Sequence, residues 1–157
     1  MVQLIPLTED EYQTYLESDI RRYAEEQVKA GNWYASEAAE KSRQEHQQLL
    51  PDGLATKNHY LFSLEDEETG SKVGVIWFAL DDQTPPRSAF VYDLMIQDEF
   101  RRRGYGAQAL RALEIKVKEL GASKISLHVF GHNPAARALY EKVGYEITGF
   151  HMSKRLS

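Results

Sequence analysis

Hydrophobic and polar positions change period several times along this chain, and each change marks an element. Val2-Gln3-Leu4-Ile5-Pro6-Leu7 reads as a short strand closed by Pro6. Thr8 is followed three residues later by Glu11, the spacing of a capping box in which each side chain satisfies an exposed backbone N–H, so a helix is expected there. Charged, Ala/Glu/Gln-rich segments at about 9–30 and 34–50 are separated by Gly31-Asn32 and closed by Pro51-Asp52-Gly53, which predicts two helices. The period then shortens. Tyr60–Leu64 and Lys72–Leu80 are rich in strand formers on either side of the acidic run Glu65–Gly70, the pattern of a hairpin, and a further strand at about 89–96 follows Pro85-Pro86.

From about Gly104 to Leu120 the pattern is helical again. Leu110, Leu113, Val117 and Leu120 form one apolar stripe, and Gly121 ends it. A strand over Ile125–Phe130, a helix over Asn133–Val143 and a last strand over about Tyr145–Met152 complete the order β-α-α-β-β-β-α-β-α-β. No repeat, low-complexity segment or linker interrupts it, so residues 1–157 are read as one α/β domain.

Composition narrows the chemistry. There is no cysteine, which excludes disulfides, Cys-ligated metals and a Cys nucleophile. The longest apolar stretch, Val73–Leu80, is far shorter than the ~20 residues that span a bilayer, and MVQLIPLTEDE lacks the basic and apolar regions of a secretory signal. No membrane association and a cytoplasmic location are expected. The net charge of −5 conceals a polarity: residues 1–70 carry −9 and residues 71–157 carry +4. That balance, with no extended basic surface, argues against a nucleic-acid partner.

Two stretches carry candidate chemistry. Asp93-Leu94-Met95-Ile96 ends a strand, and Arg101-Arg102-Arg103-Gly104-Tyr105-Gly106 leads into a helix. Two glycines allow close backbone approach, while a helix N-terminus offers free N–H groups and positive potential, a combination that can cradle phosphate. A Walker A loop is excluded because no Gly-Lys-Ser/Thr follows, and the dinucleotide fingerprint lacks its third glycine. The second stretch, Asn133-Pro134-Ala135-Ala136-Arg137-Ala138-Leu139-Tyr140, has Asn at the N-cap and Pro at the first helical position. Ala136, Leu139 and Val143 form its expected buried stripe, with Tyr140 at the margin.

Together, Arg101-x-x-Gly104-x-Gly106 and the segment from Asn133 through Tyr140 to Gly144-Tyr145 resemble the two ordered motifs of the GCN5-related N-acetyltransferase (GNAT) superfamily. The motif-bearing resemblance covers roughly residues 72–150, and the preceding elements fit the superfamily's order. It implies a GNAT fold, a twisted mixed β-sheet flanked by helices, in which two central parallel strands splay apart. It also implies acetyl-CoA as cosubstrate, with no metal. The Arg101–Gly106 loop, Arg102, Arg103 and Tyr105 included, would hold the pyrophosphate. Leu94, Met95 and Ile96 would present the strand that pairs with the acetyl and pantetheine groups, and Asn133 would bind the pantetheine arm. Tyr140 matches the general acid that protonates the departing thiolate.

The acceptor ammonium must lose a proton before it can attack, so a base is needed. His128 is the first candidate, because Leu127-His128-Val129 resembles the Leu-Glu-Val of N-terminal protein acetyltransferases, with His in place of Glu. Core packing is the alternative for a strand histidine. Asp93 is the second candidate, since Tyr92-Asp93-Leu94 resembles a strand segment carrying acids in some amino-sugar acetyltransferases; alternation turns it to the face opposite Leu94, where it could brace the strand instead. His128 and His132 lack a third ligand for a metal. Trp77 and Tyr92 read first as core packing, with an acceptor-pocket wall the alternative, and the resemblance places Trp33 and Tyr34 in the region that shapes the acceptor site. The expected activity is direct transfer of an acetyl group to a primary amine in a ternary complex, by a monomer or homodimer. A cationic amine suits the acidic half. A non-catalytic acyl-CoA sensor with the same fold is the alternative.

Overall fold

The computed structural model describes residues 1–81, 83 and 87–156, so the Pro85-Pro86 punctuation lies outside the described residues. Strand β1 (Val2–Pro6) is followed by α1 (Glu9–Lys29), α2 (Ala35–Leu49), β2 (His59–Asp66), β3 (Lys72–Asp81) and β4 (Ser88–Ile96). The chain continues through α3 (Tyr105–Glu119), β5 (Lys124–Leu127) and α4 (Pro134–Lys142), with short 3-10 turns at Gly53–Ala55 and Asp98–Phe100. The Thr8 capping box forms with both bonds: Glu11 N–H donates to Thr8 Oγ1 at 3.2 Å, and Thr8 N–H to Glu11 Oε1 at 2.9 Å.

The five strands lie in chain order, antiparallel except for the parallel pair β4–β5. Alternation divides the sheet's side chains between two cores. On one face Phe62, Ile76 and Phe78 pack against Leu110, Leu113 and Val117 of α3, the predicted stripe. On the other, Leu61, Val75 and Trp77 pack against Tyr12 and Tyr15 of α1. Burying each such side chain is worth about 1.5–3 kcal/mol, which fixes α1 and α3 on opposite sides of β4.

Two departures in β4 and β5 make room for a site. The β3–β4 register passes from Trp77↔Asp93 to Phe78↔Val91, leaving Tyr92 as a bulge. The β4–β5 ladder runs only from Ser88↔Lys124 to Val91↔Leu127, so the β5-facing backbone of residues 92–96 has no strand partner there. This is the splay expected of the mixed sheet.

The expected last strand is absent: residues 145–156 form no ladder, and Ile147, Phe150 and Met152 are exposed. Strand-forming residues such as Tyr145, Ile147 and Phe150 favour an extended chain but do not supply a partner strand, and a ladder requires one. Strand β5 also stops at Leu127, short of the expected Phe130. In α4 no side chain is fully buried; Leu139 and Val143 are only partly covered by the α3-side core.

Gly74 controls the β3–β4 approach. A Cβ there would lie 2.0 Å from the Met95 carbonyl oxygen, a backbone atom that cannot rotate away. Gly74→Ala is expected to cost about 3 kcal/mol or more in urea unfolding; a loss under 1 kcal/mol would show that the strands yield easily.

Candidate active site

The splay opens into a cavity of about 980 Å³. One wall is β4 from Phe90 to Ile96, with the loop leading into α3 at one end, α1 and α2 at the other, and α4 across the gap. The structure thus brings together Asp93, Leu94, Met95, Ile96, Arg101, Arg102, Gly104, Tyr105, Gly106, His128, Asn133 and Tyr140 around one space. Arg103 is absent from its lining; its guanidinium sits over the Phe100 ring, 5.7 Å from the centroid.

The loop owes its shape to backbone and side-chain bonds of its own. Arg101 Nε donates to the Ile96 carbonyl at 3.0 Å and its Nη1 pairs with Asp98 Oδ1 at 3.0 Å, so this side chain ties the loop back to β4. Arg102 and Gly104 both adopt positive φ, 63° and 80°. The first-turn N–H groups of Tyr105, Gly106 and Ala107 have no intrahelical partner and add to the positive potential of the α3 N-terminus. The two glycines differ in their surroundings. A Cβ at Gly104 would meet nothing within 4 Å, whereas one at Gly106 would press on Leu139 Cδ2 at 2.8 Å. Gly106 therefore lets α3 and α4 approach. Tyr105 is tied elsewhere as well, its hydroxyl donating to Asp66 Oδ2 at 2.6 Å.

Asn133 is engaged as a cap, accepting from the Ala136 N–H at 3.1 Å. Tyr140 turns its ring edge-on to Tyr145, and burial, helped by the nearby Asp93 carboxylate, pushes its pKa up to about 12. Its phenol stays protonated throughout the neutral range.

Asp93 is the most perturbed carboxyl of the cavity. It does lie on the face opposite Leu94, and that face opens to the cavity beneath α1. Tyr15 Oη donates to Asp93 Oδ2 at 2.7 Å and Arg22 Nη2 lies 3.4 Å from the same oxygen. Burial raises its pKa, the Asp19 carboxylate adds to the rise, and Arg22 and Tyr15 pull the other way, leaving it at about 7. His128 differs. It follows the end of β5 and stands edge-on to Phe130 at 5.0 Å, with no hydrogen bond among the described residues to fix its ring.

Sequence reasoning missed Tyr15, Asp19 and Arg22. They fall at i, i+4 and i+7 of α1 on its inward side, a polar insertion in an otherwise apolar face that could have been flagged. It also missed His46, which is buried on the inner face of α2 with Ala38 and Ser42. Trp77 and Tyr92 do line the cavity, stacked at 4.7 Å. Trp33 packs edge-on to Tyr23 at 5.6 Å, while Tyr34 is exposed as the N-cap residue of α2. His132 pairs with Glu26.

The loop, the splayed parallel strands and the tyrosine-bearing helix coincide with a match to the acetyltransferase (GNAT) family model over residues 13–145. The chain belongs to the GNAT family. It is 41% identical to the uncharacterized N-acetyltransferase YycN of Bacillus subtilis, with 99% of each chain covered, and 34% identical to YdgE of the same organism over 96% and 95%. The crystal structure of YycN superposes with a TM-score of 0.96, covering 100% of this chain and 99% of that one. An aminoglycoside acetyltransferase from a soil metagenome, solved with sisomicin, shares the fold at a TM-score of 0.62 and 18% identity, covering 99% of this chain and 97% of that one. This GNAT chain is an N-acetyltransferase, with the mixed five-stranded sheet of its family. Among the described residues no helix is long and apolar enough to cross a membrane, and no group of three or more His, Asp or Glu is placed to hold a metal ion.

Proposed function

We propose that this N-acetyltransferase uses acetyl-CoA and transfers the acetyl group directly to a primary amine carrying positive charge. The observation that carries the reading is the segregation of charge within one cavity. Arg101, Arg102 and Lys142 lie at the end formed by the loop and α4, whereas at the α1–α2 end Asp19, Glu25, Glu26 and Glu45 outnumber the one arginine, Arg22. A pyrophosphate suits the first end and an ammonium the second. Trp77, Phe90 and Tyr92 supply an aromatic wall to which a cation is also attracted.

In this reading the unpaired backbone of residues 92–96 receives the acetyl and pantetheine amides and supports the oxyanion of the tetrahedral intermediate. Asp93 takes the proton from the acceptor ammonium, directly or through one water. The amine lone pair then bonds to the thioester carbon, the C–S bond breaks and the sulfur leaves with its electron pair, while the nitrogen sheds its second proton to that sulfur, giving the amide and the CoA thiol; Asp93 returns the first proton to solvent. Tyr140 donates its hydroxyl hydrogen bond to that sulfur. A phenol of pKa about 12 is a weak acid against a thiol of about 8.5. Its contribution is therefore hydrogen bonding as charge develops, with proton transfer completed only as far as the cavity raises the sulfur's own affinity.

Gly104→Val is expected to weaken acetyl-CoA binding at least about tenfold in calorimetry: it places a branched side chain in the open space before the α3 N-terminus and strains a left-handed residue. Unchanged affinity would remove this loop from the cofactor site. The function itself is tested by thiol release from acetyl-CoA across a panel of polyamines, aminoglycosides, peptide N-termini and neutral amines. Turnover favouring cationic acceptors is expected. Tight CoA binding without thiol release from any of them would support a sensor instead.

A further inference from the structure

On the α1–α2 side of the cavity an ionic chain runs from Asp93 through Arg22 and Asp19 to His46, and the chemistry above gives His46 no role. His46 is only 4% exposed. Its Nδ1 lies 2.8 Å from the Ser42 carbonyl oxygen and its Nε2 lies 2.8 Å from Asp19 Oδ2. A carbonyl oxygen can only accept, so Nδ1 carries a hydrogen. A neutral ring protonated at Nδ1 offers only a lone pair at Nε2, which would face another acceptor at Asp19. The contact therefore requires a second proton between Nε2 and Oδ2, and the pair is an imidazolium on a carboxylate or its neutral tautomer. Asp19's other oxygen lies 3.2 Å from Arg22 Nη2, the same nitrogen that lies 3.4 Å from Asp93.

We infer that His46 is a positioning residue: by holding the proton that satisfies Asp19, it lets Arg22 share its charge with Asp93, which favours the carboxylate form and keeps it aimed into the cavity. The inference rests on the reading of Asp93 as the base. Two carboxylates, one guanidinium and one imidazolium balance; without His46, two carboxylates compete for one arginine. The other groups facing Asp93 do not replace the lost charge. Tyr15 of α1 donates a hydrogen bond, Tyr140 of α4 is a neutral phenol, and Trp77 of β3 stands across the ladder. Glu45 of α2 adds negative charge to the cavity wall, and His128 stands beyond β5. For His46 itself, burial opposes the charge, but the bonds to Asp19 and the Ser42 carbonyl outweigh it and raise its pKa. Tyr23 of α1 and Trp77 offer only ring contacts to it.

The test is the pH dependence of kcat/KM for wild type, His46→Gln, the double variant His46→Gln with Asp19→Asn, and Asp93→Asn. An uncompensated Asp19 raises the proton affinity of Asp93, so the acid limb of His46→Gln is expected to move up by about one pH unit. Removing Asp19 as well is expected to return it to the wild-type position or below. A merely structural role would lower the rate and leave the limb in place, and that result overturns the inference. Asp93→Asn separates the two readings: if it abolishes the limb while His46→Gln leaves it unmoved, the base stands and the role of His46 falls; if the limb survives Asp93→Asn, both fall. Nitrogen NMR of the wild-type imidazole provides a readout independent of variant folding. Hydrogen on Nδ1 and a second hydrogen shared between Nε2 and Asp19 are expected at pH 7, and an Nε2 with neither a hydrogen nor a hydrogen bond contradicts the inference.

Discussion

Asp93→Asn is expected to lower kcat/KM by about 10²–10⁴-fold, the usual contribution of a positioned general base, and to remove the acid limb near pH 7. The amide keeps an oxygen for Tyr15 but cannot take a proton from the acceptor. The limb's direction follows from the raised pKa of about 7: the carboxylate form, and with it the rate, grows as pH rises through that value. Stability runs the other way. A carboxyl whose folded pKa is raised from the ordinary aspartate value of about 3.9 to about 7 destabilises the native state increasingly as pH rises from about 4 to 7, and fully above that. The uncharged variant is therefore expected to melt no lower than wild type at pH 8, so the loss of rate cannot be ascribed to unfolding. A retained limb in Asp93→Asn would transfer the role to another group, with His128 the next candidate on the cavity wall.

Tyr140→Phe is expected to lower kcat by about 10²-fold and to leave acetyl-CoA affinity within about twofold, because the hydroxyl is invoked only as charge develops on sulfur. With its pKa pushed up to about 12, Tyr140 is also expected to produce no falling limb in the kcat profile below about pH 10. An unchanged kcat in Tyr140→Phe removes the hydroxyl from the mechanism. A large loss of affinity instead would mark the ring as part of the binding surface.

The features legible in the sequence were those encoded locally. The α3 stripe, the Thr8 box, the Asn133 cap and the loop after β4 each occupy a few consecutive residues, and their physics is local. The ionic chain is different. Tyr15 and Arg22 reach Asp93 across 78 and 71 residues, so their partnership depends on α1 packing over β4. The Tyr92 bulge is likewise a matter of register between strands. The Tyr145–Met152 segment shows the opposite failure, since it carries strand-forming residues but no strand among the described residues pairs with it. Gly106 adds a contact beyond local reach: the motif gives the position, while the packed helices add that its missing side chain leaves room for Leu139.

The most direct test of the account is to incubate the enzyme with acetyl-CoA and the best acceptor, and to count acetylated amine by mass spectrometry against CoA thiol released. Equal amounts of the two are expected, with no acetyl-enzyme when the amine is omitted and with product lost in Asp93→Asn while CoA still binds. CoA binding with no acetylated amine, or an acetylated protein that accumulates without acceptor, would contradict direct transfer in this cavity.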